Sequence, residues 1–143
     1  MTTQVAFHFN VPNKLAYACR LLRKAYAAGG PVGVVAAPET LRELDVALWS
    51  FSALDFIAHC SAAAPADMLE RTPIVLAADG AALPRAGVLV HLGTTVPAGF
   101  ERFERLIELV GADQEDRVQA RLRWRHYAEG GYAIQRHDLN AKE

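Results

Sequence analysis

Much of the familiar chemistry of small proteins is missing from this 143-residue sequence. It holds two cysteines, Cys19 and Cys60, and no CxxC pair. That removes a zinc ribbon or dithiol redox motif, and leaves reduced thiols in a cytoplasmic protein as the simplest reading. It holds only three serines, none of them in a GxSxG nucleophile elbow. No apolar stretch reaches the roughly 18 residues of a membrane span. The opening MTTQVAFHFN has no basic region followed by a long apolar run, so no secretory signal is expected. Charge of either sign is barely in excess. A formal net charge of -1 gives no global attraction to DNA or to an anionic membrane, and any such attraction must be local.

What is present reads as a globular chain. Apolar residues make up 52% and charged residues 22%, enough to build a core and too balanced for disorder. The length suits one domain and is short for two. No repeat, low-complexity tract or linker interrupts it, so residues 1–143 are expected to form a single domain.

The hydrophobic pattern alternates between strands and helices. Residues 5–9 alternate and favour β structure. Pro12 opens a helix to about residue 28, with Leu15, Ala18, Cys19, Leu22 and Tyr26 on one stripe. Gly29 and Gly30 stop it. The apolar run VGVVAA suits a strand buried on both faces. Pro38 starts a second helix with the stripe Leu41, Leu44 and Leu48, and Thr40 with Glu43 suits a capping box. Residues 61–73 read as loop. Residues 74–77 and 88–91 read as strands. Phe100, Phe103, Leu106, Ile107 and Val110 have helical spacing and predict a further helix. Asp113 is placed to cap the last long helix, which Gly130 and Gly131 end, and residues 132–135 suit an edge strand. This alternation predicts an α/β fold: a mostly parallel sheet with helices on both faces.

Such a sheet invites a nucleotide-binding reading, and the local sequence opposes it. The loop after the first strand, FNVPNK, has no glycine, so it offers no nucleotide-binding loop of the GxGxxG or GxxxxGK[ST] kind. His8, His59, His91, His126 and His137 are scattered and read as structural or surface residues rather than metal ligands. Cys19, on a core stripe, reads as packing.

Two segments need a partner or a packing explanation. On a helix advancing about 100° per residue, Arg117, Arg121 and Arg125 fall on one side, with Trp124 beside Arg121 and with Val118 and Leu122 on the other flank. Three aligned guanidinium groups repel one another, and an acidic partner relieves that repulsion. Spacing alone also admits a solvated basic face with Trp124 half buried, or a single-stranded nucleic-acid surface built from arginine and an aromatic ring. The second segment is LDVALWSFSALDFI. Trp49 lies about 80° to 100° off the leucine stripe of its helix, which admits a core margin or an exposed apolar patch that Phe56 could join.

These segments resemble the chi subunit of the DNA polymerase III holoenzyme. FHFNVPNKLAYACRLLRKAYAAG is similar to that family's first strand and helix, LDVALWSFSALDFIAH to its central segment, and ARLRWRHYAEGGYAI to its C-terminal helix and strand. The similarity runs through nearly the whole chain in the same order, with R-x-R-[WY]-[KR]-x-Y and LD-x-x-LW as its most specific patterns. The resemblance implies a Rossmann-like α/β domain that is not an enzyme, binds no cofactor, and acts as an adaptor between two partners. One is the psi subunit of the clamp loader. The other is the acidic C-terminal tail of single-stranded DNA-binding protein, which ends in a phenylalanine carboxylate. Arg117, Arg121, Trp124 and Arg125 stand where the family binds that tail, and Trp49 and Phe56 where it contacts psi. The family often has lysine at the first and last tail positions and tyrosine at the third. The resemblance further implies a cytoplasmic protein brought to the nucleoid by the replisome, without specific nucleic-acid binding or membrane contact of its own. Residues 138–143 depart from better-known members. The competing readings are an α/β nucleotide-dependent enzyme and a direct single-stranded nucleic-acid binder.

Overall fold

The computed structural model describes residues 3–28, 31–50, 59–65, 67–68, 72–83 and 87–139. Their elements follow in the order β1 (Gln4–Val11), α1 (Lys14–Ala27), β2 (Val32–Val35), α2 (Pro38–Ser50), β3 (His59–Ser61), β4 (Ile74–Ala77), β5 (Val88–His91), β6 (Arg105–Gly111), α3 (Gln114–Glu129) and β7 (Ile134–Asp138). The seven strands form one sheet in the order β3-β4-β2-β5-β6-β1-β7. Every pairing in it is parallel.

Alternation along the strands builds two cores. Val32 and Val34 of β2, with Ile74, Leu76, Ile107 and Leu109, face α1 and α2 through Ala18, Cys19, Leu22, Leu44 and Leu48. Val35, with Val5, Phe7, Val75, Leu89, Leu106 and Val110, faces the other way, toward Ala120 and Tyr127 of α3. The helices thus cover both faces, as βα alternation requires. Cys19 is buried on its expected stripe, and burial pushes its thiol pKa up.

Several sequence expectations need correction. Residues 105–111 are not helical. They form β6, buried between β5 and β1, after a single 3-10 turn at Phe100–Arg102. A short apolar run buried on both faces has no period of its own, and Phe100 and Phe103 completed a false helical spacing. Thr40 caps nothing by a capping box: Leu41 N–H bonds Ala37 C=O at 2.9 Å, so the helix starts at Pro38 and Thr40 already lies in its first turn. α1 starts after Pro12, at Lys14, because the Asn13 side chain accepts from Ala16 N–H at 3.0 Å and makes Asn13 the cap. The edge strand β7 runs two to three residues later than expected, and the three-residue β3 falls partly in the expected loop. Gly29, Gly30 and residues 66 and 69–71 of the expected loop lie outside the described residues.

Candidate protein-docking cleft

The arginine helix is held in place before it offers anything to a partner. Asp113 caps α3 by accepting from Asp116 N–H at 3.2 Å. Asp116 in turn accepts from Gly111 N–H at 2.6 Å and from Lys14 Nζ at 3.1 Å, which ties the helix start to the end of β6 and to α1. Ala120, Arg123 and Tyr127 turn inward at helical spacing and are buried.

Arg123 and Tyr127 converge on Glu108, the buried charged residue of β6. Glu108 accepts from Arg123 Nε at 3.1 Å, from Tyr127 Oη at 2.5 Å and from His91 Nδ1 at 2.6 Å. Arg123 Nη1 also donates to Thr94 C=O at 2.9 Å. Burial alone would raise the Glu108 pKa. The attraction and hydrogen bond of His91, then Arg123 and Tyr127, outweigh burial and hold it below the usual carboxylate range. Burial, then the Glu108 charge, push the Tyr127 phenol up, so it stays a donor. This cluster fixes the rotation of α3 about its own axis, and therefore which residues face out.

What faces out is the predicted ridge. Arg117 and Arg121 are exposed, and neither side chain makes a hydrogen bond or ion pair with a described residue. They wall a cleft of about 350 Å³ together with Trp124, with Phe9 and Asn10 of β1, and with Arg136 and Asp138 of β7. Trp124 is half buried, its ring 5.0 Å from that of Phe7 and 6.1 Å from that of Phe9. The Arg136 guanidinium lies over Phe9, 5.2 Å from its centroid, and 3.7 Å from the Asp138 carboxylate. Asn10, with a left-handed φ of 60° at a register shift in β1, donates through Nδ2 to Asp138 at 2.8 Å. An apolar floor ringed by three guanidinium groups can take an aromatic side chain and a carboxylate together.

The site residues expected from the sequence divide into four groups. Arg117, Arg121 and Trp124 come together in the cleft. Arg125 is exposed on the same helix and does not line it. Trp49 lies elsewhere, on α2 across the sheet, 56% exposed, with its ring 5.0 Å from that of His59. Phe56 lies outside the described residues. Sequence reasoning missed Phe9, Asn10, Arg136 and Asp138. The available signal was the period of two: Phe9 follows Phe7 on one face of β1, and Asp138 follows Arg136 on one face of β7. Only the parallel pairing of β1 with β7 brings the two pairs side by side. Among the described residues, no group of three or more His, Cys, Asp or Glu side chains could hold a metal ion, and no helix is long and apolar enough to cross a membrane.

The family model described as DNA polymerase III chi subunit, HolC, matches residues 1–135. The chain belongs to the DNA polymerase III chi family. It is also similar to DNA polymerase III subunit chi of Pseudomonas aeruginosa, at 35% identity over 127 residues that cover 88% of this chain and 87% of that one. The part matched to the chi family includes α3 and the β1 side of the cleft. Arg136 and Asp138 lie just beyond it.

Proposed function

We propose that residues 1–143 form a single Rossmann-like domain that works as a non-catalytic replication adaptor. Its cleft between α3, β1 and β7 receives the acidic C-terminal tail of single-stranded DNA-binding protein, and the Trp49 region binds the psi subunit of the clamp loader. The protein thereby links the replicase to coated lagging-strand template, in the cytoplasm at the nucleoid. The observation that carries this reading is the cleft itself: Arg117, Arg121 and Arg136 around a floor of Phe9 and Trp124. Phe56 is assigned with Trp49 by family resemblance. Arg125, outside the cleft, steers the acidic part of the tail. Exposed charges contribute mainly to encounter and salt sensitivity, about 0 to 1 kcal/mol each, whereas a desolvated ring and a bidentate carboxylate bond contribute more.

Calorimetry with a tail peptide tests the proposal. The full peptide should bind, more weakly as salt rises, and a peptide lacking its terminal phenylalanine should lose most of its affinity. Equal affinity for both peptides would reduce the cleft to a nonspecific basic surface. A free oligonucleotide binding more tightly than the peptide at the same salt would favour the nucleic-acid reading.

A further inference from the structure

A second cleft, of about 450 Å³, opens at the carboxyl ends of β2, β4 and β5 and has no part in the docking proposal. Its walls are residues 35–37 and Thr40, residues 78–80, and residues 91–98. Sheet topology creates it. From β2 the chain runs toward β3 at one edge, and from the adjacent β5 it runs toward β6 on the other side. Where outgoing connections diverge in this way, an open parallel sheet leaves a crevice that can take a ligand.

A buried histidine faces this crevice. His91 is 2% exposed, and its Nδ1 sits 2.6 Å from Glu108. An ionised carboxylate only accepts, so Nδ1 donates to Glu108 and Nε2 is the ring nitrogen left for a ligand. No described residue hydrogen-bonds Nε2. It points at Gly93 in the cleft wall, where a Cβ would stand only 2.8 Å away. Glycine at 93 therefore keeps the way to Nε2 open. The walls around it are braced. Arg123 holds the Thr94 carbonyl, Arg102 donates to Gly80 C=O at 2.9 Å, and Gly80 packs so closely on the Ala98 carbonyl that a Cβ there would collide.

We propose that this cleft binds a small uncharged molecule rich in hydroxyl groups, of the nucleoside class, with one ligand hydroxyl hydrogen-bonded to His91 Nε2. The lining chemistry selects that class. Thr40, Thr94 and Thr95 can donate or accept, and Asp79 accepts. Among the described residues no lysine or arginine lines the cleft, and Asp79 repels phosphate. One Asp79 oxygen already accepts from Ala81 N–H at 2.9 Å, which leaves the other for a ligand hydroxyl.

The test is nuclear magnetic resonance on the full chain, titrated to millimolar adenosine and, separately, AMP. Adenosine should shift the amides of residues 35–40 and 91–98 and the Nε2 resonance of His91, and AMP should bind more weakly. His91→Phe should abolish the adenosine shifts. Thr95→Trp should abolish them too, by filling the cleft from an exposed rim position that leaves the buried cluster intact. No shift with adenosine, or shifts retained in Thr95→Trp, would overturn the proposal. Tighter binding of AMP would also overturn it, by making the cleft an anion site.

Discussion

Arg121 and Arg123 stand two residues apart on one helix and do opposite things. About 200° of helical rotation separates them. Arg121 points to water and pairs with no described residue. Arg123 is 2% exposed and holds Glu108 and the Thr94 carbonyl. The residue type is the same, and what meets it decides its role. A buried guanidinium must be matched by its surroundings, because desolvation costs several kcal/mol per ion and only good geometry offsets it. An exposed one costs little to leave unpaired, and it stays ready for a guest. The inner arginine sets the rotation of the helix and so keeps the outer ones turned outward.

The sharpest way to break this comparison is to remove the inner partner. Glu108→Ala leaves Arg123 buried without its counter-charge and Tyr127 without an acceptor. The expected destabilisation is about 3–5 kcal/mol, read by chemical denaturation. Tail-peptide affinity should fall as well, because α3 loses the contact that sets its rotation. An unchanged unfolding midpoint would mean that the cluster does not hold the helix.

The outer arginine should give the mirror image. Arg121→Glu should leave stability within about 0.5 kcal/mol, as for surface substitutions away from special features. It should cost tail-peptide binding about 2 kcal/mol, or some thirtyfold, since it adds repulsion to a lost attraction. Unfolding of this variant would erase the distinction between the two arginines.

Trp49→Ala extends the comparison across the sheet. The side chain is 56% exposed on α2, while the cleft lies on the α3 side. Truncation should weaken psi binding by about 2 kcal/mol and leave tail binding at its original value. Loss of both activities together would place the two surfaces in one energetic unit.

These residues also mark how far the sequence could be read. The Asp113 cap, the Cys19 stripe and the arginine spacing depend on helical geometry within a few turns, so they were legible. Glu108 was not. The helical spacing expected for Leu106, Ile107 and Val110 leaves Glu108 on the opposite, polar side, and only tertiary structure brings His91, Arg123 and Tyr127 to it. Arg123 is hidden for the same reason: nothing local separates it from the arginines at 121 and 125. The β1 and β7 half of the cleft was hidden by distance: Phe9 and Asp138 are register partners 129 residues apart. Local periodicity specifies a face, and it carries no information about which remote face will lie beside it.

The smallest predicted effect tests whether the cleft holds its own competitor. Asp138 puts a carboxylate among Arg117, Arg121 and Arg136, where the guest's carboxylates are proposed to bind. It is held by Asn10 at 2.8 Å and lies 3.7 Å from Arg136, whose side chain is largely exposed. A pair at that distance and exposure contributes about 0 to 1 kcal/mol, so the Arg136 contact opposes exchange for a guest carboxylate only weakly. Asp138→Asn keeps an oxygen for Asn10 and removes the charge. Stability should barely change, and tail-peptide affinity should rise about two- to fivefold, or 0.5 to 1 kcal/mol. The gain should be largest in dilute salt and fade toward 1 M, as the screening length falls from about 10 Å at 0.1 M to about 3 Å. Calorimetry across that salt range separates charge from shape: a gain that persists at 1 M would come from repacking of the wall. Weaker binding would mean that Asp138 orders Arg136 for the guest, and that the acid in the basic cleft assists recognition.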